Sequence, residues 1–327
     1  MFTHKYDSII NIENLLMSWF RFRRGKTSKR VVREFELNLG DNLAGIHQLL
    51  ASKKYLHGGY DMFKVADPKP RVIHNAPVTD KIVHRLIYDT LYWHFHFRFI
   101  HDSYSCRKGK GPHKAIERFK KFAGQVSKNH TRAVWILKCD VKKFFASIDH
   151  ARLKEILARH IYDQDLLWLC DQVIDSFDSG ETGKGLPLGN LTSQLFGNIY
   201  MHEFDMFVKQ ELRVKHYIRY SDDFVLFSQD KHELEQLLSK IENFLSADLK
   251  LKLHENKVHI QTYASGVDFL GWVHFSKHRV LRTTTKNRLS SNLKWYPSRE
   301  TVNSYRGLLG HGNTHKIKQV LENLGGL

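Results

Sequence analysis

Three aspartates, Asp140, Asp222 and Asp223, are the residues whose type and spacing most clearly suggest chemistry. Asp222 and Asp223 stand between two short apolar runs inside His216–Ser228, which predicts a β-hairpin with both aspartates at its turn. Asp140 ends Ala133–Asp140, a continuous apolar run that is typical of a buried strand. If these strands are neighbours in one sheet, the three carboxylates meet at one edge.

Clustered carboxylates repel each other, and an isolated buried carboxylate is costly, so such a cluster predicts a bound cation. Oxygen ligands favour Mg²⁺, and we predict a site for two Mg²⁺ ions about 4 Å apart. One ion would activate a 3′-hydroxyl, and both would stabilise charge during in-line displacement at an α-phosphate. The sequence therefore predicts nucleotidyl transfer, in which positioning and electrostatics supply the catalysis.

Helical and strand patterns precede and follow the aspartates. Periodic apolar residues predict helices over residues 8–22, Val31–Ala51 and Leu191–Leu212. A strand is predicted over Val267–Phe275. The glycine-rich loop Gly180–Asn190 leads into the third of these helices, where exposed N–H groups can approach a phosphate or a base pair closely.

A further helix is predicted from Thr79 to about Phe99. Its second half contains the aromatic residues Tyr92, Trp93, Phe95, Phe97 and Phe99. At helical spacing such residues belong to a core more often than to a platform on which bases stack, and we predict the core role for this stretch.

The composition favours a nucleic acid as partner. Lys and Arg total 51 against 34 Asp and Glu, so the formal net charge is +17, while 42% of the residues are hydrophobic. A folded protein this basic is expected to have a polyanionic partner. No long apolar run, lipidation signal or signal-peptide pattern is present, so we predict no membrane association. The three cysteines stand far apart, which fits a reducing cytoplasm, and the phosphate-binding pattern of P-loop proteins is absent.

Five segments of the chain resemble, in family order, the sequence boxes of reverse transcriptases. They are Lys69-Pro70-Arg71, Asp140–His150, Tyr220–Asp223, Leu253–Lys257 and Phe269–Trp272. The resemblance implies an α+β right-hand polymerase fold, with fingers, a palm of antiparallel sheet packed on helices, and a short helical thumb. It implies fingers and an N-terminal extension within residues 1–130, with palm segments interleaved, a palm over 131–275 and a thumb over 276–327.

The resemblance also implies catalytic roles by position. Asp140 and Asp222 would be the main metal ligands, with Asp223 beside them and Val141 in the same metal site. Lys257 would protonate the pyrophosphate leaving group, and an ordinary surface lysine is the alternative.

Other positions match residues that bind the nucleotide. Lys69 and Arg71 would neutralise the triphosphate, and Phe145 matches the aromatic gate that excludes a ribose 2′-hydroxyl, although plain core packing would also explain that residue. The remaining nucleotide-binding positions are Leu188, Gly189 and Gln194.

Template and primer contacts are expected in two segments. Arg107, Lys108 and Lys110 could line a phosphate backbone, with a flexible surface loop as the alternative. The resemblance also implies a primer grip at Phe269, Leu270 and Gly271. The implied partners are template RNA, the RNA/cDNA hybrid and dNTPs.

The loop before the third helix departs from the commonest reverse-transcriptase pattern. Leu188 stands where many members have Gln, and Gln194 stands where many have Pro. This form, together with Ser304–Asn313, resembles the enzymes of diversity-generating retroelements. Those enzymes copy a template-repeat RNA into cDNA with frequent errors at adenines, and the cDNA diversifies a target gene.

The resemblance to that subfamily implies a small basic accessory protein that forms a pentamer, and a bacterial or phage-encoded protein of the cytoplasm. In so short a chain we expect no maturase or endonuclease domain. Two alternatives stay open: a retron-type or phage-defence reverse transcriptase, and a catalytically inactive palm that binds nucleic acid.

Overall fold

The computed structural model describes residues 4–66, 70–295, 298–315 and 319. Within these ranges the helices are α1 (Tyr6–Ile9), α2 (Ile12–Arg23), α3 (Arg30–Leu37), α4 (Leu39–Ala51), α5 (Val78–His96), α6 (Pro112–Val126), α7 (Phe144–Ser147), α8 (His150–Ala158), α9 (Gln164–Ile174), α10 (Leu191–Met206), α11 (Lys231–Ala247), α12 (Thr283–Trp295) and α13 (Arg299–Leu309). The strands are β1 (Asp61–Val65), β2 (Arg71–Asn75), β3 (Trp135–Asp140), β4 (Tyr217–Tyr220), β5 (Asp223–Ser228), β6 (His259–Thr262), β7 (Val267–Phe269), β8 (Trp272–His274) and β9 (Arg279–Leu281).

The chain divides into two compact units, each built from three separate segments. The first comprises Met1–His101, Val141–Phe207 and Asn243–Lys252. In this unit α2 and α10 pack against α5, whose inner face is buried along its whole length, and β1 pairs with β2 in antiparallel fashion. The second unit comprises Asp102–Asp140, Val208–Glu242 and Leu253–Leu327.

An antiparallel sheet in the order β4-β5-β3-β6 forms the centre of the second unit. The apolar run of β3 is buried because strands lie on both sides of it and α6 covers one face of the sheet. Phe119 of α6 lies in this core, with its ring centroid 4.9 Å from that of Phe227 and 5.5 Å from that of Phe269. This packing holds the sheet in place, and the pairing register of its strands decides which side chains meet at its end.

A smaller sheet, β7-β8-β9, packs with α12 and α13 at the C-terminal end of the second unit. His311 closes this arrangement, because its ring stacks on that of His113 at 3.7 Å and its carbonyl accepts a hydrogen bond from Arg279 Nε. The next residues continue the contact: Asn313 N donates to the carbonyl of Arg279 at 3.0 Å, and Gly312 lies against the indole of Trp272.

Four predicted elements were wrong in their bounds. The helix predicted over residues 8–22 is interrupted after Ile9, and α2 begins at Ile12 with Asn11 as its N-cap. The helix predicted over Val31–Ala51 breaks at Asn38, where φ is −120° and ψ is 42°, so α3 and α4 bury separate faces. The helix from Leu191 ends at Met206 and passes into a π-helical turn over Phe207–Glu211. The strand predicted over Val267–Phe275 is a tight hairpin, β7–β8, because the chain reverses at two residues with positive φ.

The prediction of a core role for the aromatic half of α5 was correct for three residues and wrong for two. Tyr92, Phe95 and Phe99 are buried, but Trp93 is 47% exposed and Phe97 is 78% exposed. The reason is the helical period: Phe97, the C-cap of α5, stands four residues after Trp93 and continues the same outer face. Among the described residues, no helix combines the length and apolar character needed to cross a membrane.

Replacement of Gly312 by Ala should destabilise the C-terminal part of the second unit. A Cβ atom at this position would lie 2.0 Å from Cζ3 of Trp272, so the indole or the chain must shift. We expect a loss of about 1–3 kcal/mol in the free energy of unfolding, measured by denaturant titration. Gly307→Ala is the matched control, because a Cβ there meets open space within α13 and should stabilise the helix. Equal stability of Gly312→Ala and wild type would contradict the packing described.

Candidate active site

The register of the central sheet places two of the three aspartates directly opposite each other. Asp140, the last residue of β3, pairs with Asp223, the first residue of β5. Side chains of directly opposed residues lie on the same face of a sheet with Cβ atoms about 4.5–5.5 Å apart. Asp223 is therefore part of the strand, and only Ser221 and Asp222 form the turn, which corrects the prediction that both aspartates lie at its tip.

The electrostatics of Asp223 show that the carboxylates lie within each other's field. Burial raises the pKa of Asp223 to about 7; Lys138 opposes this rise, whereas Asp140, Asp222 and Asp268 add to it. The ammonium of Lys138 lies 3.8 Å from Oδ2 of Asp223. In the part of the chain that the structure describes, no hydrogen-bond donor reaches the buried Oδ1 of the same carboxylate.

Asp140 is held by the segment that follows α11. Lys257 Nζ lies 2.7 Å from Oδ1 of Asp140, and the backbone N–H of His254 donates to the carbonyl of Asp140 at 2.8 Å. The lysine side chain is 39% exposed, so one end of the ion pair faces solvent. An ammonium in this position can neutralise Asp140 and still reach a group bound in front of it.

The turn between β4 and β5 is held by a buried arginine. Ser221 has φ +62°, a left-handed conformation that is strained for a residue other than glycine. Arg219 is fully buried, and its Nη1 donates to the carbonyl of Ser221 at 3.0 Å, while Nη2 donates to Oγ of Ser103 at 3.3 Å. Arg219 therefore holds the turn in place and links it to Ser103, whose segment runs along the outer edge of β4.

Sequence reasoning missed Lys138 and Arg219. Each is a positively charged residue in an otherwise apolar strand. Lys138 stands two positions before Asp140, and Arg219 stands two positions before Ser221 of the turn. Because side chains alternate along a strand, Lys138 shares a face with Asp140. A cation at such a position was the available signal, since a buried lysine or arginine requires an anionic or carbonyl partner.

The opposed carboxylates fit a divalent cation. In the described ranges no three His, Cys, Asp or Glu side chains form a ready-made metal cluster. Asp140 and Asp223 nevertheless offer carboxylate oxygens on one face, one of them buried without a donor, in a field made more negative by Asp222. Such an all-oxygen set suits Mg²⁺. Val141, expected in the same site, is buried immediately after Asp140.

Several residues expected to bind the nucleotide lie in the first unit. Arg71 is exposed at the start of β2, whereas Lys69 lies outside the described residues. Phe145 is half-buried with its ring centroid 5.0 Å from that of the buried Phe144. Gln194 is exposed on the first turn of α10.

The loop that contains Leu188 is joined to β2 by its backbone. His74 N donates to the carbonyl of Leu188 at 2.9 Å, and Asn190 Nδ2 donates to the carbonyl of His74 at 2.8 Å. Gly189 has φ +104°, and a Cβ there would lie 2.6 Å from Cγ2 of Ile73, so this approach requires glycine. The loop residues and the strand that begins with Arg71 therefore form one structure.

The expected template contacts differ in exposure. Arg107 is buried, with Nη1 donating to the carbonyl of Ser103 at 2.9 Å. Lys108 is exposed, and Lys110 Nζ lies 5.0 Å from the ring centroid of Tyr104.

The expected primer grip forms the turn of the β7–β8 hairpin. Phe269 is buried in the core, and the chain reverses at Leu270 and Gly271, whose φ angles are +52° and +84°. The template and primer roles of both segments stay predictions.

Comparison with known proteins identifies the family of the segment that contains these residues. Residues 64–274 match the family model described as reverse transcriptase (RNA-dependent DNA polymerase). The chain belongs to this family. The prediction of an RNA-directed DNA polymerase is thereby confirmed at the level of the family.

Individual relatives are distant. The chain is 24% identical over 296 residues to the protein YkfC of Escherichia coli (strain K12), covering 79% of this chain and 74% of YkfC. It is 23% identical over 264 residues to the group II intron-encoded protein LtrA of Lactococcus lactis subsp. cremoris, covering 59% of this chain but only 42% of LtrA. A solved telomerase from Candida tropicalis superposes with a TM-score of 0.52 at 12% identity, covering 74% of this chain and 60% of that one. This likeness, with the family match, confirms the α+β right-hand polymerase fold.

Replacing Asp223 by Asn should stabilise the protein in buffer that contains EDTA. The pKa of Asp223 is raised even with Lys138 beside it, so burial and the neighbouring acids disfavour the ionised form more than Lys138 favours it. A neutral isostere removes this net unfavourable interaction, and the amide oxygen of Asn still offers Lys138 an acceptor. We expect an increase of about 1–3 kcal/mol in the free energy of unfolding at pH 8, measured with denaturant. Asp41→Asn, at an exposed position in the first turn of α4, should change it little. A less stable Asp223→Asn variant would contradict a net unfavourable environment for the Asp223 carboxylate.

Proposed function

We propose that the chain copies RNA into DNA by Mg²⁺-dependent nucleotidyl transfer at Asp140, Asp222 and Asp223. The observation that carries this proposal is the direct opposition of Asp140 and Asp223 at the end of a rigid sheet, with the Asp222 turn beside them. A structural ion pair does not explain this arrangement, because like charges opposite each other in a sheet are destabilising.

The carboxylates of Asp140, Asp222 and Asp223 would hold the metal, which supplies positive charge at the reacting phosphate and lowers the pKa of the attacking hydroxyl. The ammonium of Lys257 pairs with Asp140, and the side chain is partly exposed, so it is suited to donate a proton to a leaving phosphate. Arg219 holds the backbone of the turn in place, so the Asp222 position is preorganised before substrate binds.

For the subtype, we propose mutagenic copying of a template-repeat RNA for diversification of a target gene. The support is the sequence of the Leu188 loop and of Ser304–Asn313. The loop also forms one structure with the strand of Arg71, which supports a nucleotide contact by Leu188. A small basic pentameric accessory protein, a cytoplasmic location, and fingers, palm and thumb bounds near residues 130 and 275 belong to the same proposal.

The similarity to LtrA favours a second candidate, reverse transcription of a group II intron RNA. Sequencing the RNA that copurifies with the protein from its native host separates the two. A copurified RNA that matches a template repeat, with a near-identical variable repeat in the neighbouring DNA, supports diversification. A copurified intron RNA supports the second candidate.

A primer-extension assay tests the polymerase itself. On an RNA template with a DNA primer, dNTPs and Mg²⁺, we expect extension by the wild type and a loss of about 100- to 1,000-fold or more in Asp222→Asn, since a charged group at the reacting centre is removed. Asp41→Asn is the matched control and should extend normally. Activity that survives Asp222→Asn would refute the assignment of the metal site.

The error rate tests the role of Leu188. An apolar side chain cannot offer the amide hydrogen bonds of Gln, so we expect Leu188→Gln to reduce misincorporation opposite template adenine by several-fold. Leu188→Met keeps the apolar character and should keep the wild-type error rate. Sequencing the cDNA products measures both. An unchanged error rate at adenine in Leu188→Gln would refute this role of Leu188.

A further inference from the structure

The first unit carries an exposed aromatic pair that the polymerase chemistry does not use. Trp93 and Phe97 lie one helical turn apart on the outer face of α5, with ring centroids 5.7 Å apart and an interplanar angle of 25°. Both rings are well exposed, whereas Tyr92 and Phe95 beside them are buried. Large exposed aromatic side chains of a soluble protein are candidates for a binding surface.

The two rings form one wall of a cavity of about 640 Å³. Its other lining residues are His4, just before α1, and residues of α1, α2 and α5. They include the apolar side chains of Ile9, Met17 and Leu86, the polar side chains of Asn14, Ser18 and Thr90, and the ion pair between Arg21 and Asp89, 2.7 Å apart. A lining that mixes apolar and hydrogen-bonding groups with two aromatic rings suits a flat molecule with a polar edge better than a wholly apolar lipid tail.

A strongly basic segment begins in this cavity. Arg21 is both a lining residue and the first residue of a ten-residue stretch that contains no acidic residue. The basic residues of that stretch are Arg21, Arg23, Arg24, Lys26, Lys29 and Arg30. Arg24 and Lys29 are exposed. A basic segment that begins beside two exposed aromatic rings is complementary to a single-stranded nucleic acid, whose phosphates and bases need these two kinds of contact.

We propose that this cavity binds an unpaired base of single-stranded RNA, stacked on Trp93 and Phe97, with the adjoining phosphates along residues 21–30. Stacking accepts any base because every base has a π-face, while the polar lining contacts the edge of the base. The surface would hold RNA independently of the nucleotidyl-transfer site. The proposal goes beyond the polymerase function and does not depend on the retroelement subtype.

The test is fluorescence anisotropy with a 5′-labelled single-stranded RNA 12-mer, in EDTA and without dNTPs, so that polymerase activity does not enter. Trp93→Ala should weaken binding about 5- to 150-fold, and Trp93→Phe, which keeps a stacking ring, should restore most of it. Tyr162→Ala removes an equally prominent ring that lies outside the cavity and should bind as wild type.

Two further measurements distinguish stacking from a general loss of affinity. An abasic 12-mer should bind wild type and Trp93→Ala equally, because it has no base to stack. The dependence of log Kd on log salt should keep its slope in Trp93→Ala but flatten by about 0.7 in Arg24→Gln.

Cross-linking with 4-thiouridine in the 12-mer should label the peptide that contains Trp93 and Phe97. Wild-type affinity in Trp93→Ala, or cross-links confined to other segments, would overturn the proposal and leave the cavity to a protein partner. Thermal unfolding of Trp93→Ala near the wild-type temperature shows that the variant is folded.

Discussion

Asp140 and Asp223 oppose each other across two neighbouring strands, and this contact between like charges is the constraint around which the second unit is arranged. Directly opposed carboxylates destabilise a sheet, and burial of Asp223 increases the cost. Lys138 and Lys257 each lie against one of the two carboxylates. They offset part of the repulsion, but Asp140, Asp222 and Asp268 still act to raise the pKa of Asp223.

The sheet tolerates this cost because its remaining positions are apolar and well packed. Ile136, Leu137 and Cys139 of β3 are fully buried, as are Val225 and Leu226 of β5. Burial of each large aliphatic side chain contributes about 1.5–3 kcal/mol, so a few such residues offset a repulsion of similar size. Six consecutive residue pairs between β3 and β5 also fix the register, since a shift by one residue would turn every buried side chain to the other face.

Much of this sheet could be predicted from the sequence, because buried strands and turns leave local signals. The apolar run before Asp140 and the paired runs around Asp222 predict their strands, and no tertiary information is needed. The break at Asn38 and the reversal at Leu270 and Gly271 were not predicted, since backbone conformation at one or two residues decides them. The exposure of Trp93 and Phe97 was missed because an aromatic run shows its period only when the helix is placed against its neighbours.

The residues of the site also differ in how far the sequence predicts them. Its aspartates could be identified from type and order, but Lys138 and Arg219 were missed, because their partners are a carboxylate on the neighbouring strand and a backbone carbonyl in a strained turn. The position proposed to set specificity is harder still to predict. At Leu188 the backbone carbonyl is used by the fold, through His74, while the side chain is not part of that bond. A substitution there keeps the backbone bond to β2, so under the function proposed above the side chain can alter fidelity while the strand that supports the loop is undisturbed.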